Sequence, residues 1–209
     1  MSCMGDGCDR MTWQADTLKY YAEHAEEFAA DTQGIEFSAM QSLFLHALPE
    51  HSDILDFGCG AGRDSKAFLM AGHRVTAIDG CPELCRIASR FAGIPVRCMT
   101  FDALEDVACY DGIWASASLL HLRRDELVRV LKKIRCALRM NGILYTSFKY
   151  GDFEGMRNGR FFIDMTEARF DDVMRQVSGF DIGQSLVTSD MRPGREHEKW
   201  LNLLMRKCG

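Results

Sequence analysis

LDFGCGAGRD, residues 55–64, sets three glycines on alternate positions directly after a short apolar run. Ile54 to Phe57 reads as a short buried strand, and Arg63 to Met70 as a helix stopped near Gly72. Gly58, Gly60 and Gly62 therefore sit in a strand-to-helix turn, where glycine permits positive φ and close backbone approach. Free N–H groups at the helix start favour an anion or carboxylate. Downstream, Asp79 closes the next strand, 23 positions after Asp56. An acid at that place accepts hydrogen bonds from two ribose hydroxyls in sheets of this kind. Each piece also has a plainer use: glycines serve steric needs at such turns, and Asp79 suits a cap before Pro82. Together the pieces point to a nucleoside.

The rhythm around this stretch is βαβα with short links, which predicts a mostly parallel sheet with helices on both faces. Strands are expected at Arg74–Ile78, Pro95–Met99, Gly112–Ser116 and Ile143–Phe148. Helices are expected at Pro82–Phe91 and Arg124–Leu138. Asp164 with Glu167 suggests a capping box opening a helix to about Val177. Asp181–Thr188 and Trp200–Arg206 follow without a helix between them, so they are expected to pair antiparallel. Ahead of the glycine turn, Thr17–Ala30 and Glu36–Leu48 read as helices, giving an N-terminal helical cap over residues 1–50, with a frayed first dozen. Lys149–Ile163 breaks the rhythm with three glycines, two arginines and several aromatics, and reads as a substrate loop.

The chain has 209 residues, which suggests one domain. Its 25 Lys+Arg against 30 Asp+Glu leave a net charge of -5, which argues against a broad grip on nucleic acid or an anionic membrane. No apolar run approaches the roughly 18 residues of a membrane span, and MSCMGDGCDRM lacks the features of a signal peptide. The nine cysteines are an odd number and form no zinc pattern, so reduced thiols in a cytoplasmic protein are expected. Cys98 and Cys136 are expected to pack as small hydrophobes.

A dinucleotide site prefers G-x-G-x-x-G, whose third glycine would fall at Arg63. With an acid followed by G-x-G-x-G, the chain instead resembles the class I S-adenosylmethionine-dependent methyltransferases. Within them it is most similar to the small tellurite-resistance and thiol-type branch, over about Tyr20 to Lys207. The resemblance implies a Rossmann-like fold with a seven-stranded, mostly parallel sheet and an antiparallel last strand. It implies S-adenosyl-L-methionine as cofactor, held by Asp56, Gly58, Gly60, Gly62, Asp79 and Gly80. Phe101 and Asp102 would lie beside the adenine, Ala115 and Ser116 within WASASLLH beside the methionine part, and Tyr20 and Tyr21 over the cofactor. Arg63 suits the cofactor carboxylate, or is a first-turn surface arginine. Phe101 is otherwise a core residue, and Asp102 a cap for a short helix at Leu104–Val107.

His121 ends the fourth strand, where its titration range suits proton transfer or its ring serves a structural hydrogen bond. Lys149 and Tyr150, with Arg157 and Arg160, form a candidate pocket for an anionic acceptor, with Arg192 and Arg195 as further candidates. No metal set is evident. The expected function is methyl transfer to a small molecule, tellurite, selenite or a thiol. O-methylation of a hydroxylated or carboxylated metabolite and cofactor binding without turnover are the alternatives. Partners are small molecules only, in a monomer or homodimer.

Overall fold

The computed structural model describes residues 6–192 and 194–209, with side chains from Trp13 onward. Three helices precede the sheet: α1 (Asp6–Glu23), α2 (Ala25–Gln33) and α3 (Ser38–His46). The expected helix at Thr17–Ala30 is thus two helices parted at His24. The cause is local: the imidazole stacks on Tyr20 at 4.2 Å and 17°, and its Nδ1 lies 2.8 Å from the Tyr20 carbonyl. α1 is already helical at Asp6, and the rest of the expected frayed start lies outside the described residues.

The sheet is built from β1 (Asp53–Phe57), β2 (Arg74–Asp79), β3 (Val96–Cys98), β4 (Tyr110–Ala115), β5 (Leu138–Lys149), β8 (Phe180–Ser189) and β9 (Lys199–Lys207). Between β5 and β8 lies a hairpin, β6 (Glu154–Arg157) and β7 (Arg160–Ile163). The seven-stranded order is β3-β2-β1-β4-β5-β9-β8. The first five strands pair parallel, and β9 inserts antiparallel to both β5 and β8. Four helices connect them: α4 (Arg63–Met70), α5 (Pro82–Ala92), α6 (Arg124–Ala137) and α7 (Glu167–Met174).

Alternate residues of each strand feed opposite faces. Leu55, Ile113, Ala115 and Leu144 join α6 and α7 in the larger core, with Leu127, Leu131 and Phe170 fully packed. Ile54, Trp114, Ile143 and Tyr145 point the other way, against Phe44 of α3 and Phe68 of α4. There Trp114 stacks on Tyr145 at 3.8 Å and 12°. Burying each such side chain stabilises the fold by about 1.5–3 kcal/mol before the entropy of ordering it.

Four expectations are corrected. The 149–163 segment is not an irregular loop: Asn158 and Gly159, both with positive φ (50° and 76°), make the two-residue turn of the β6–β7 hairpin. α7 is capped by Thr166, whose Oγ1 accepts from Arg169 N, while Asp164 pairs with Arg157. Residues 104–107 form no helix; a single 3-10 turn spans Phe101–Ala103. Cys98 and Cys136 are exposed, because β3 is an edge strand and Cys136 faces outward on α6. The seven cysteines with described side chains are free, and Cys3 lies outside the described residues.

Candidate active site at the carboxyl ends of the parallel strands

The glycine turn between β1 and α4 holds Gly58, Gly60 and Gly62 at φ of 86°, 54° and 85°. The space beside each is taken by protein. A Cβ on Gly58 would lie 2.5 Å from Ser118 Cβ, and one on Gly62 3.0 Å from Ala88 Cα in α5. A Cβ on Gly60 would lie 3.1 Å from the Phe28 ring of α2. The turn is thus tight against its neighbours on three sides, and Gly62 serves helix packing rather than the cavity.

Asp79 ends β2 beside this turn. Its Oδ2 accepts from Gly60 N at 2.9 Å, and its Oδ1 accepts from Cys81 N at 2.8 Å. One carboxylate therefore fixes both the glycine turn and the entry to α5. Burial lifts its pKa to about 6, against the lowering effect of the backbone N–H groups. The carboxylate lines a cavity of ≈ 290 Å³.

Asp56 stands elsewhere. It is 2% exposed, does not line the cavity, and accepts from Ser65 Oγ at 2.5 Å. Burial, then the nearby Asp64 carboxylate, raises its pKa well above the carboxylate range. Asp64 accepts from Trp114 Nε1 at 2.8 Å and Gln41 Nε2 at 2.7 Å, and takes a two-pronged contact from Arg63 at 2.8 and 2.9 Å. Arg63 lines the cavity with part of its fork already used.

His121 sits in a 3-10 turn (Leu119–His121), six residues beyond the end of β4 at Ala115 rather than at the strand end where it was expected. Its Nδ1 lies 2.7 Å from the Phe161 carbonyl and its Nε2 2.9 Å from Tyr21 Oη. A carbonyl only accepts, so Nδ1 carries the proton and Nε2 accepts from the Tyr21 hydroxyl. Burial pushes the His121 pKa down to about 4 and raises that of Tyr21.

The same residues close the cavity. Thr17 Oγ1 accepts from Phe161 N at 3.0 Å, and Gln14 Nε2 donates to Glu126 at 2.9 Å. α1 is thereby tied to the β6–β7 hairpin and to α6. At the far wall, Lys149 Nζ pairs with Glu198, and Arg192 with Asp190, which also accepts from Trp200 Nε1 at 3.0 Å.

Of the residues expected at the site, Tyr21, Gly58, Gly60, Arg63, Asp79 and Gly80 line this cavity. So do Phe101, Asp102, Ser116, His121 and Lys149. Phe101 packs edge-on against Phe57 at 4.7 Å, and Asp102 is exposed at the mouth. Tyr20, Asp56, Gly62, Ala115 and Tyr150 do not line it. Tyr150 is exposed and donates to Glu167 at 3.0 Å. Sequence reasoning missed Ser147, Phe162 and Trp200, and placed Ser118 only within the WASASLLH stretch. Ser118 Oγ donates to the Phe57 carbonyl at 2.7 Å, and Ser147 Oγ accepts from Ala117 N at 2.9 Å. Those bonds hold Ala117 at a positive φ of 49°, strain of the kind that gathers at functional sites. Among the described residues no cluster of His, Cys, Asp or Glu is placed to hold a metal, and no helix is long and apolar enough to cross a membrane.

A family profile described as a methyltransferase domain matches residues 54–142, from β1 to the start of β5. The ubiquinone biosynthesis O-methyltransferase of Methylocella silvestris is 33% identical over 103 residues, 45% of this chain; the match spans only 38% of that enzyme's length. Among solved structures, the 1,6-didemethyltoxoflavin-N1-methyltransferase of Burkholderia thailandensis superposes with a TM-score of 0.78, at 22% identity over 100% of this chain and 93% of that one. A TehB-like methyltransferase from Corynebacterium glutamicum gives a TM-score of 0.65, at 21% identity over 91% and 97% of the two chains. The chain thus has the Rossmann-like class I methyltransferase fold, with its cavity at the carboxyl ends of β1, β2 and β4.

Proposed function

We propose that the protein transfers a methyl group from S-adenosyl-L-methionine to a small-molecule acceptor, and that the acceptor reacts as a soft anion: tellurite, selenite or a thiolate. The donor set fits a nucleoside. The Asp79 carboxylate lines the cavity as an acceptor for ribose hydroxyls, with Leu84, Phe101 and Leu18 as apolar walls. When bound, the cofactor supplies a methyl group made electrophilic by a cationic sulfur. The protein's task is then alignment and exclusion of water. Gly58, Ser116 and Ser118 line the cavity together with Tyr21 and the hairpin residues Arg160 and Phe162.

The observation that carries the soft-anion reading is the state of His121. Both its ring nitrogens are bonded within the protein, and it is neutral and weakly basic near pH 7. Asp79, Asp64 and Asp190 already accept N–H donors. An acceptor that arrives ionised needs none of them as a base, whereas a hydroxyl does. O-methylation is the second reading, favoured by the likeness to the Methylocella O-methyltransferase.

The test is calorimetry with S-adenosyl-L-methionine, followed by methyl-labelled cofactor with selenite, tellurite, small thiols and phenols. Cofactor binding with label on a chalcogen or thiol is expected. Label on phenols alone transfers the assignment to O-methylation; binding with no transfer to any acceptor favours a non-catalytic binder. No binding at all overturns the proposal.

A further inference from the structure

Arg157 and Arg160 flank the hairpin turn, but their surroundings differ. Arg157 Nη2 pairs with Asp164 Oδ2 at 2.8 Å, and the residue stays out of the cavity. Arg160 lines the cavity. Its guanidinium lies 4.3 Å from the Tyr20 ring, 5.5 Å from Tyr21 and 5.1 Å from Phe162. Its Nη1 donates to Tyr21 Oη at 3.4 Å, and its buried Nε has no hydrogen-bond partner among the described residues.

Three other cations facing this cavity have counter-ions: Arg63 has Asp64, Lys149 has Glu198 and Arg192 has Asp190. Among the described residues Arg160 has none. Arg195 also lines the cavity, but it is exposed on the β8–β9 loop and its charge acts on Glu198. A partly buried guanidinium between aromatic rings gains some cation–π attraction, yet its donors are left without the acceptors they would find in water. A carboxylate or oxyanion supplies both the charge and the planar acceptor geometry that a guanidinium favours.

We propose that Arg160 determines acceptor specificity by binding a negatively charged oxygen group of the methyl acceptor. The inference rests on the methyl-transfer reading and deepens it. The charged group belongs to one of two sources: the reacting oxyanion itself, or a carboxylate handle on a larger acceptor.

The probes are selenite, benzoate and the neutral counterpart benzamide, titrated calorimetrically into the whole protein with and without S-adenosylhomocysteine. At least one anion is expected to bind more tightly than benzamide. Arg160→Gln is expected to weaken that binding roughly 10- to 100-fold, the scale of a lost charge-assisted hydrogen bond. Arg160→Lys should restore part of it, and Arg129→Gln, on the exposed face of α6, should leave it unchanged. Selenite preferred over benzoate identifies the reacting centre as the bound group; benzoate preferred identifies a handle. Equal affinity for anions and benzamide overturns the proposal, as does undiminished anion binding in a folded Arg160→Gln. Binding of S-adenosylhomocysteine is read separately, so its loss counts against the methyl-transfer reading and not against Arg160.

Discussion

The hydroxyl of Tyr21 in α1 donates to Nε2 of His121 across 2.9 Å, and the opposite nitrogen of the same ring donates to the Phe161 carbonyl. The imidazole thus joins the helical cap to the hairpin, and burial there disfavours its charged form. Its pKa falls from 6.5 to about 4 on burial, so the folded protein binds fewer protons than the unfolded chain between those values. Stability from this group is complete above the unfolded pKa and is lost as pH falls towards 4. The full span is on the order of 3 kcal/mol. Denaturant midpoints measured from pH 7 to pH 4.5 are expected to drop more steeply for the wild type than for His121→Gln. Parallel curves would show that the ring does not control the acid limb.

Asp79 supports a prediction about the cofactor. Its carboxylate already fixes Gly60 N and Cys81 N, and its pKa is lifted to about 6 by burial. Protonation removes acceptor capacity from the side chain that would face the ribose. Affinity for S-adenosyl-L-methionine should therefore fall as pH drops from 7.5 to 5. Asp79→Asn should weaken binding at pH 7.5 by about tenfold or more and flatten the pH dependence. Calorimetry at the two pH values decides it; an unchanged affinity in Asp79→Asn would remove the residue from the site.

Much of this architecture was legible because the strands and helices obey simple periods. Ile54–Phe57, Arg63–Met70 and Pro82 each sit in elements that local pattern and Gly or Pro punctuation define. The hairpin escaped because Phe161, Phe162 and Ile163 are buried in succession, which hides the two-residue alternation of a strand. The Asn158-Gly159 pair was the signal that would have found it. The acids at the site illustrate a different limit. Asp56 and Asp79 lie at or next to the ends of adjacent parallel strands, yet one faces Ser65 in the interior and the other a cavity. Which side a strand-end carboxylate takes depends on pleat phase and on a helix residue nine positions away. Trp200 and Phe162 reach the cavity only through long-range packing, which no local spacing encodes.

The glycines of the turn separate stability from closure. Gly62 has φ of 85°, and its Cβ would meet backbone atoms of Ala88 in α5 at 3.0 Å. Gly62→Ala combines left-handed strain with overpacking, about 2–4 kcal/mol of destabilisation. At Gly60 the obstacle is the Phe28 ring at 3.1 Å, a side chain of the cap. Gly60→Ala is expected to cost less stability and to weaken cofactor binding more. Thermal melts paired with calorimetry test the contrast; equal effects of both substitutions on both readouts would contradict it.

Asp56 gives a pH dependence opposite in sign to that of His121. Burial, then the Asp64 carboxylate, raises its pKa above the unfolded value of 3.8, so the folded state holds an extra proton as pH rises past that value. Stability then declines with rising pH until the folded pKa is passed, because ionisation places a second negative charge beside Asp64 in the interior. Asn matches the protonated acid in shape and keeps an oxygen to accept from Ser65 Oγ. Asp56→Asn should therefore lie close to the wild type near pH 5 and gain on it by several degrees in Tm towards pH 9. A constant Tm difference across that range would mean that Asp56 is ionised in the folded protein, held by Ser65 and Arg63 rather than by a proton.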